Sequence, residues 1–219
     1  MWTSGAITLA AVRVCAMSPA FVSLAPAPDY RAELGQRLAG EVHIVAEVDS
    51  LDAAIELAAR IEDEVGALVP VRYEAALARN RAGLIGPAIQ AYGRVLELEP
   101  DHVGALYDRS ELWLVAGTEA ERARAKTDLE RAETLRPDHW AVPYRLALLA
   151  GQRGESNALE AAMTRSIRTG LDLDLLAQDP AWLPLLRSEQ TGPALRRIVG
   201  TYGSDALVRE LDKRAKETP

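Results

Sequence analysis

The chain has 219 residues, 48% of them hydrophobic and only 5% aromatic, which supports a buried core and excludes a wholly disordered chain. Its formal net charge of −7 argues against the basic face that a nucleic-acid partner requires, and a single cysteine, Cys15, excludes an internal disulfide. Few aromatics beside abundant alanine favour closely packed helices over sheets, so the expected fold class is all-α.

Residues 1–28, MWTSGAITLAAVRVCAMSPAFVSLAPAP, are leader-like without meeting the requirements of a secretory signal. No Lys or Arg precedes the apolar stretch, Arg13 interrupts it, and Pro26 and Pro28 crowd the small residues where cleavage would fall. The segment is read as disordered or leader-like, with Met17 as an alternative start. The expected location is cytoplasmic; an exported or periplasmic one is the alternative if the segment is a true leader. No stretch reaches the roughly 18 consecutive apolar residues of a membrane span, so membrane insertion is not expected.

Residues 29–69 read as a degenerate helical pair. In its second helix, Ala54, Ala58 and Ile61 recur at helical spacing behind Ser50, a residue suited to an N-cap. The first helix would run from Asp29 to Val48, although Gly40 and the β-branched VHIVAEV stretch leave a short strand as the alternative there.

From residue 70 to 170 a ruler appears. Gly83, Gly117 and Gly154 each follow a tyrosine by ten residues (Tyr73, Tyr107, Tyr144) and a small residue by seven (Ala76, Ser110, Ala147). Each glycine would end one helix, because a left-handed conformation costs glycine little. A second helix follows each: Ala88, Tyr92, Val95 and Pro100 have intervals of four, three and five, and Ala125, Leu129, Ala132 and Pro137 repeat them. Small residues let the two helices approach, and the proline stops the second. The twice-written Pro-Asp-His, ending at His102 and His139, is thus a helix exit. A third second helix carries Ala158, Met163 and Ser166. The middle unit needs about three extra residues, expected in the turn near TEAER.

These residues resemble the tetratricopeptide repeat, a helix-turn-helix unit of about 34 residues with an Ala-x3-Phe and terminal Pro signature. Ala88, Tyr92 and Pro100 match its second half, and Ala125, Leu129 and Pro137 match with Leu for Phe. The first half departs from the pattern, with Arg72 and Pro143 at sites where a large aromatic is usual. Residues 171–219, beginning LDLDLLAQDPAWLPLLRSEQ, resemble the tail that closes such arrays in bacterial proteins, with Trp182, Leu185 and Leu186 as the cover over an otherwise exposed last helix. The resemblance implies a right-handed α-solenoid of antiparallel helix pairs: a degenerate N-terminal pair, three repeat units and C-terminal capping helices.

It also implies a concave groove, lined by the first helix of each pair, that receives a protein or peptide. Tyr73, Leu77, Asn80 and Arg81, then Tyr107, Glu111 and Leu114, then Tyr144, Arg145 and Leu148 fall at groove positions by that resemblance. The other reading of the tyrosines makes them core aromatics. Family members that hold a chaperone's C-terminal carboxylate use Lys, Asn and Arg, whereas the matching sites here are Tyr73, Leu77, Asp108 and Ala141 with only Arg145 as expected, so that partner class is not expected. His102 and His139 stand one repeat apart, about 10 Å, too far to share a metal. No phosphate loop, nucleophile elbow or His-x3-His helix occurs, and the carboxylates of IEDEV and ERARAKTDLERAE suit solvated helix faces. The expected function is a non-catalytic scaffold, without cofactor or metal. The alternative is a ligand-responsive sensor with a pocket between the array and the Trp182 cap.

Overall fold

The structure is a computed structural model that describes residues 28–216, so the leader-like segment through residue 27 lies outside it. Twelve helices and no strand occur among the described residues. The first pair is α1 (Pro28–Val48) and α2 (Leu51–Val65). Three pairs follow: α3 (Val69–Arg81) with α4 (Ile85–Leu98), α5 (Val103–Ala116) with α6 (Glu119–Leu135), and α7 (Ala141–Gln152) with α8 (Ser156–Arg168). The chain ends in α9 (Leu175–Gln178), α10 (Trp182–Arg187), α11 (Gly192–Tyr202) and α12 (Asp205–Lys216). Each pair packs on the next, α1 and α2 on α3, α4 on α5 and α6 on α7, and the fold is a right-handed α-solenoid.

The ruler has a direct physical basis. Gly83, Gly117 and Gly154 have φ of 72°, 82° and 74°, the left-handed region in which an L side chain is strained. At the far ends of α4 and α6, the residue before proline leaves the helical region, with Glu99 at φ −132°, ψ 86° and Arg136 at φ −134°, ψ 70°. Both histidines of the repeated Pro-Asp-His serve the start of the next helix. His102 Nδ1 accepts the Ala105 N–H at 3.0 Å and His139 Nδ1 accepts the Ala141 N–H at 3.3 Å, so each imidazole satisfies a donor at the next helix start.

The small residues are where close approach requires them: Ala76, Ser110 and Ala147 are fully buried, as are Ala88, Tyr92, Val95, Ala125, Leu129 and Ala132. In the third unit the register differs from expectation. Ala158 is exposed, and Leu159, Met163 and Ser166, which keep the intervals of four and three, are all fully buried. A leucine fits where the other units have alanine because Gly151 faces it: a Cβ there would come within 2.9 Å of Leu159 Cδ1. The side chain lost from one helix makes room for the one gained on the other.

The first helix runs to Val48 as expected, and the strand alternative for the β-branched VHIVAEV stretch does not occur: Val42 is fully buried against the N-terminal core, and burial there outweighs a small propensity cost. Two further expectations are corrected. The three extra residues of the middle unit do not lengthen its turn. They extend α6 to 17 residues against 14 for α4, and Thr118 and Glu121 form a reciprocal capping box that starts the helix early. Finally, not every carboxylate of ERARAKTDLERAE is solvated: Asp128 is 6% exposed and takes two hydrogen bonds from Arg109, at 2.7 and 2.8 Å.

The array is closed at its C-terminal end. Trp182, Leu185 and Leu186 are buried and α10 packs on α7, while α11 covers α8. Helix α12 follows Ser204, whose hydroxyl accepts the Leu207 N–H, and seats Leu207 and Leu211 inward. No helix among the described residues is long and apolar enough to cross a membrane.

Candidate binding trough

Tyr73, Tyr107 and Tyr144 project from α3, α5 and α7 at equivalent points, and each hydroxyl reaches the next helical layer. Tyr73 Oη donates to Asp108 Oδ2 at 2.6 Å. Tyr107 Oη accepts from Arg145 Nε at 3.4 Å. Tyr144 Oη donates to Asp179 Oδ2 at 2.8 Å and accepts from Trp182 Nε1 at 2.6 Å. Asp108 and Arg145 each directly follow the next tyrosine, and Asp179 holds the equivalent place ahead of α10, 35 residues after Tyr144 just as Asp108 lies 35 after Tyr73. The rings and their polar tips form one continuous row.

The row differs in exposure along its length. Tyr73 and Tyr107 are half-buried, as are Leu77, Asn80, Glu111, Leu114 and Arg145. Arg81 is exposed and pairs with Glu47 of α1. At the far end Tyr144 and Leu148 are each 5% exposed, because the Trp182 ring stands 5.3 Å from that of Tyr144. Tyr73 is held on the other side by the His102 ring at 4.6 Å and the Tyr92 ring at 5.9 Å, so His102 both caps α5 and wedges the first tyrosine.

Charge in the row is unevenly distributed. Arg145 Nη2 lies 2.9 Å from Glu111 Oε2, and its Nη1 lies 4.0 Å from Asp179 Oδ2. Burial pulls the Arg145 guanidinium down, and Glu111, Tyr107 and Asp179 outweigh it, leaving its pKa above the ordinary value. Burial also raises Asp108, against the hydrogen bond from Tyr73 and the nearby Tyr92 hydroxyl and His102 ring, and raises Glu111, against Arg145. Tyr73, Tyr92 and Tyr144 are pushed well above the usual phenol range, chiefly by burial, so these hydroxyls keep their protons. Two buried polar atoms among the described residues lack a hydrogen-bond partner, Tyr92 Oη and Glu111 Oε1, and both belong to this region.

Asp108, which stands in sequence only as a mismatch to a carboxylate-binding site, is the acceptor for Tyr73. Asp179, the acceptor for Tyr144, is not among the residues expected from sequence. The signal was present: a polar residue directly after each ladder tyrosine, repeated at the layer spacing. A separate cleft of about 180 Å³ between α6, α7 and α8 shares no residue with the tyrosine row. Its charges are matched internally, with Arg165 on Glu133 at 2.7 Å and Arg153 on Glu155 at 3.0 Å.

No family profile and no curated protein matches the sequence. Solved structures do. A crystal structure of MamA is similar at 18% identity with a TM-score of 0.62, over 79% of this chain and 95% of that one. MamA of Desulfovibrio magneticus RS-1 is similar at 16% identity and TM-score 0.62, over 85% and 98%. A thermophilic TPR protein of Thermus thermophilus, TTC0263, is similar at 18% identity and TM-score 0.54, over 84% and 98%. The likeness establishes a tetratricopeptide-like helical fold.

Proposed function

We propose that this protein is a non-catalytic scaffold that docks a protein or peptide segment in the trough along α3, α5 and α7. One observation carries the reading: Tyr73 and Tyr107 present half-buried rings whose hydroxyls are already tied to the neighbouring layer. Rings fixed in this way lose little side-chain entropy on binding, which is the property of aromatic hot spots. Leu77 and Leu114 flank them, also half-buried, and supply apolar area between the polar tips. Tyr144 and Leu148 lie beneath the cap and would support the trough more than line it. The sensor alternative needs space between array and cap, and the Trp182–Tyr144 contact occupies that region, which favours docking.

The test is selection of short peptides from a displayed random library on the whole protein, followed by affinity measurement on variants. Tyr107→Ala should weaken the selected peptides by about 1–2 kcal/mol with little change in melting temperature. Arg94→Ala, on the exposed side of α4, should leave binding unchanged. Peptides indifferent to Tyr107→Ala, or a Tyr107→Ala chain that no longer folds, would overturn the trough as the docking surface.

A further inference from the structure

The trough contains more carboxylate than the chain itself neutralises. Glu74, Asp108, Glu111 and Asp179 lie along it; Glu74 is engaged by His43 Nδ1 at 3.2 Å, and Arg81 is committed to Glu47. Arg145 is left to serve both Glu111 and Asp179. Asp108 accepts the Tyr73 hydroxyl, with the Tyr92 hydroxyl and the His102 ring nearby, and no Lys or Arg pairs with it. Asp108 and Glu111 are three residues apart on α5, hence neighbours on one helix face with Cβ atoms about 5–6 Å apart. The Glu111 carboxylate is partly exposed and meets Arg145 through Oε2 alone, its buried Oε1 having no hydrogen-bond donor, so its charge is only partly matched.

We propose that the docked segment is basic, and that a lysine or arginine side chain of the guest seats between Asp108 and Glu111. This rests on the docking reading above and gives it a partner class. The cation would supply the counter-charge that Asp108 lacks and share the Glu111 carboxylate with Arg145, while its aliphatic stem lies along the flanking Tyr107 ring. An ammonium or guanidinium that exchanges water for two carboxylates in a half-buried site makes charge-assisted hydrogen bonds, stronger than neutral ones. An acidic guest meets like charge at the same place.

The probes are three sets of short labelled peptides with identical aromatic and leucine content, whose variable positions carry Lys/Arg, Ser/Gln or Asp/Glu, measured by fluorescence anisotropy on the full chain. The basic set should bind about tenfold or more tightly than the neutral set and should weaken as salt rises. The Asp108→Asn, Glu111→Gln double variant should lose that preference. Glu97→Gln, an exposed acid on α4, should change it by less than about twofold. If the double variant does not fold, Glu111→Gln alone, which keeps a hydrogen-bonding partner for Arg145, is held to the same outcome. Neutral or acidic peptides that bind as well as basic ones and remain sensitive to Tyr107→Ala would leave the trough standing and overturn its charge preference. Basic peptides that ignore the double variant would reveal diffuse attraction to an acidic chain and overturn it as well. Failure of all three sets to bind would remove the docking reading together with this one.

Discussion

Tyr73, Tyr107 and Tyr144 share one register and end in three surroundings: one donates to Asp108, one accepts from Arg145, and one is sealed between Asp179 and Trp182. The difference lies in the residue each hydroxyl meets on the next layer. Glu111 shows the electrostatic cost of the same region. Burial raises its pKa and Arg145 only partly offsets this. A carboxyl whose folded pKa is raised binds more protons folded than unfolded, so its stabilising contribution is complete below the unfolded pKa and is lost as pH rises through the folded one. Glu111→Gln should therefore gain on the parent chain as pH climbs from about 4 to 7, read as a widening difference in melting temperature. A difference that stays flat, or moves the other way, would contradict the burial account. At this scale the glycines were legible, because positive φ is a demand on one residue. The carboxylate partners were not, because Asp108 meets Tyr73 from 35 residues away.

Helices rather than residues set the next level. Helix α6 looks in sequence like a solvated, charge-alternating element, yet its Asp128 is buried and clasped by Arg109 of α5. Periodicity could not reveal this: the pattern around Asp128 is that of an exposed face, and its partner lies on the preceding helix. Asp128→Ala should destabilise the protein by about 3 kcal/mol, because Arg109 is left half-buried without a counter-charge. An Arg109→Met, Asp128→Leu pair should recover most of that in urea denaturation. If the single and double variants are equally unstable, the pair matters through packing alone. The same limit explains the slipped register of α8. Leu159 takes the place held by Ala88 and Ala125 only because Gly151 on α7 yields the space, a compensation between two helices that neither segment discloses alone.

Across the whole molecule, an array of helix pairs buries its apolar faces only against neighbours, so its last pair needs a cover. Trp182 is 1% exposed and bonded to Tyr144, which ties the cover to the end of the tyrosine row. Trp182→Ala should cost about 3–5 kcal/mol and loosen α10 from α7, seen as faster amide exchange in both; a loss below about 1 kcal/mol would mean that α10 does not seal the array. By itself the sequence determined the all-α class, the repeat length, where helices stop and which tail closes the array. Those depend on local backbone chemistry: a glycine that tolerates positive φ, a proline without an N–H, small residues at helical spacing. Only the tertiary structure decided which charges are buried, which tyrosine is covered and which oxygen of Glu111 lacks a donor, since burial and partnership are set by residues that folding brings together from distant layers.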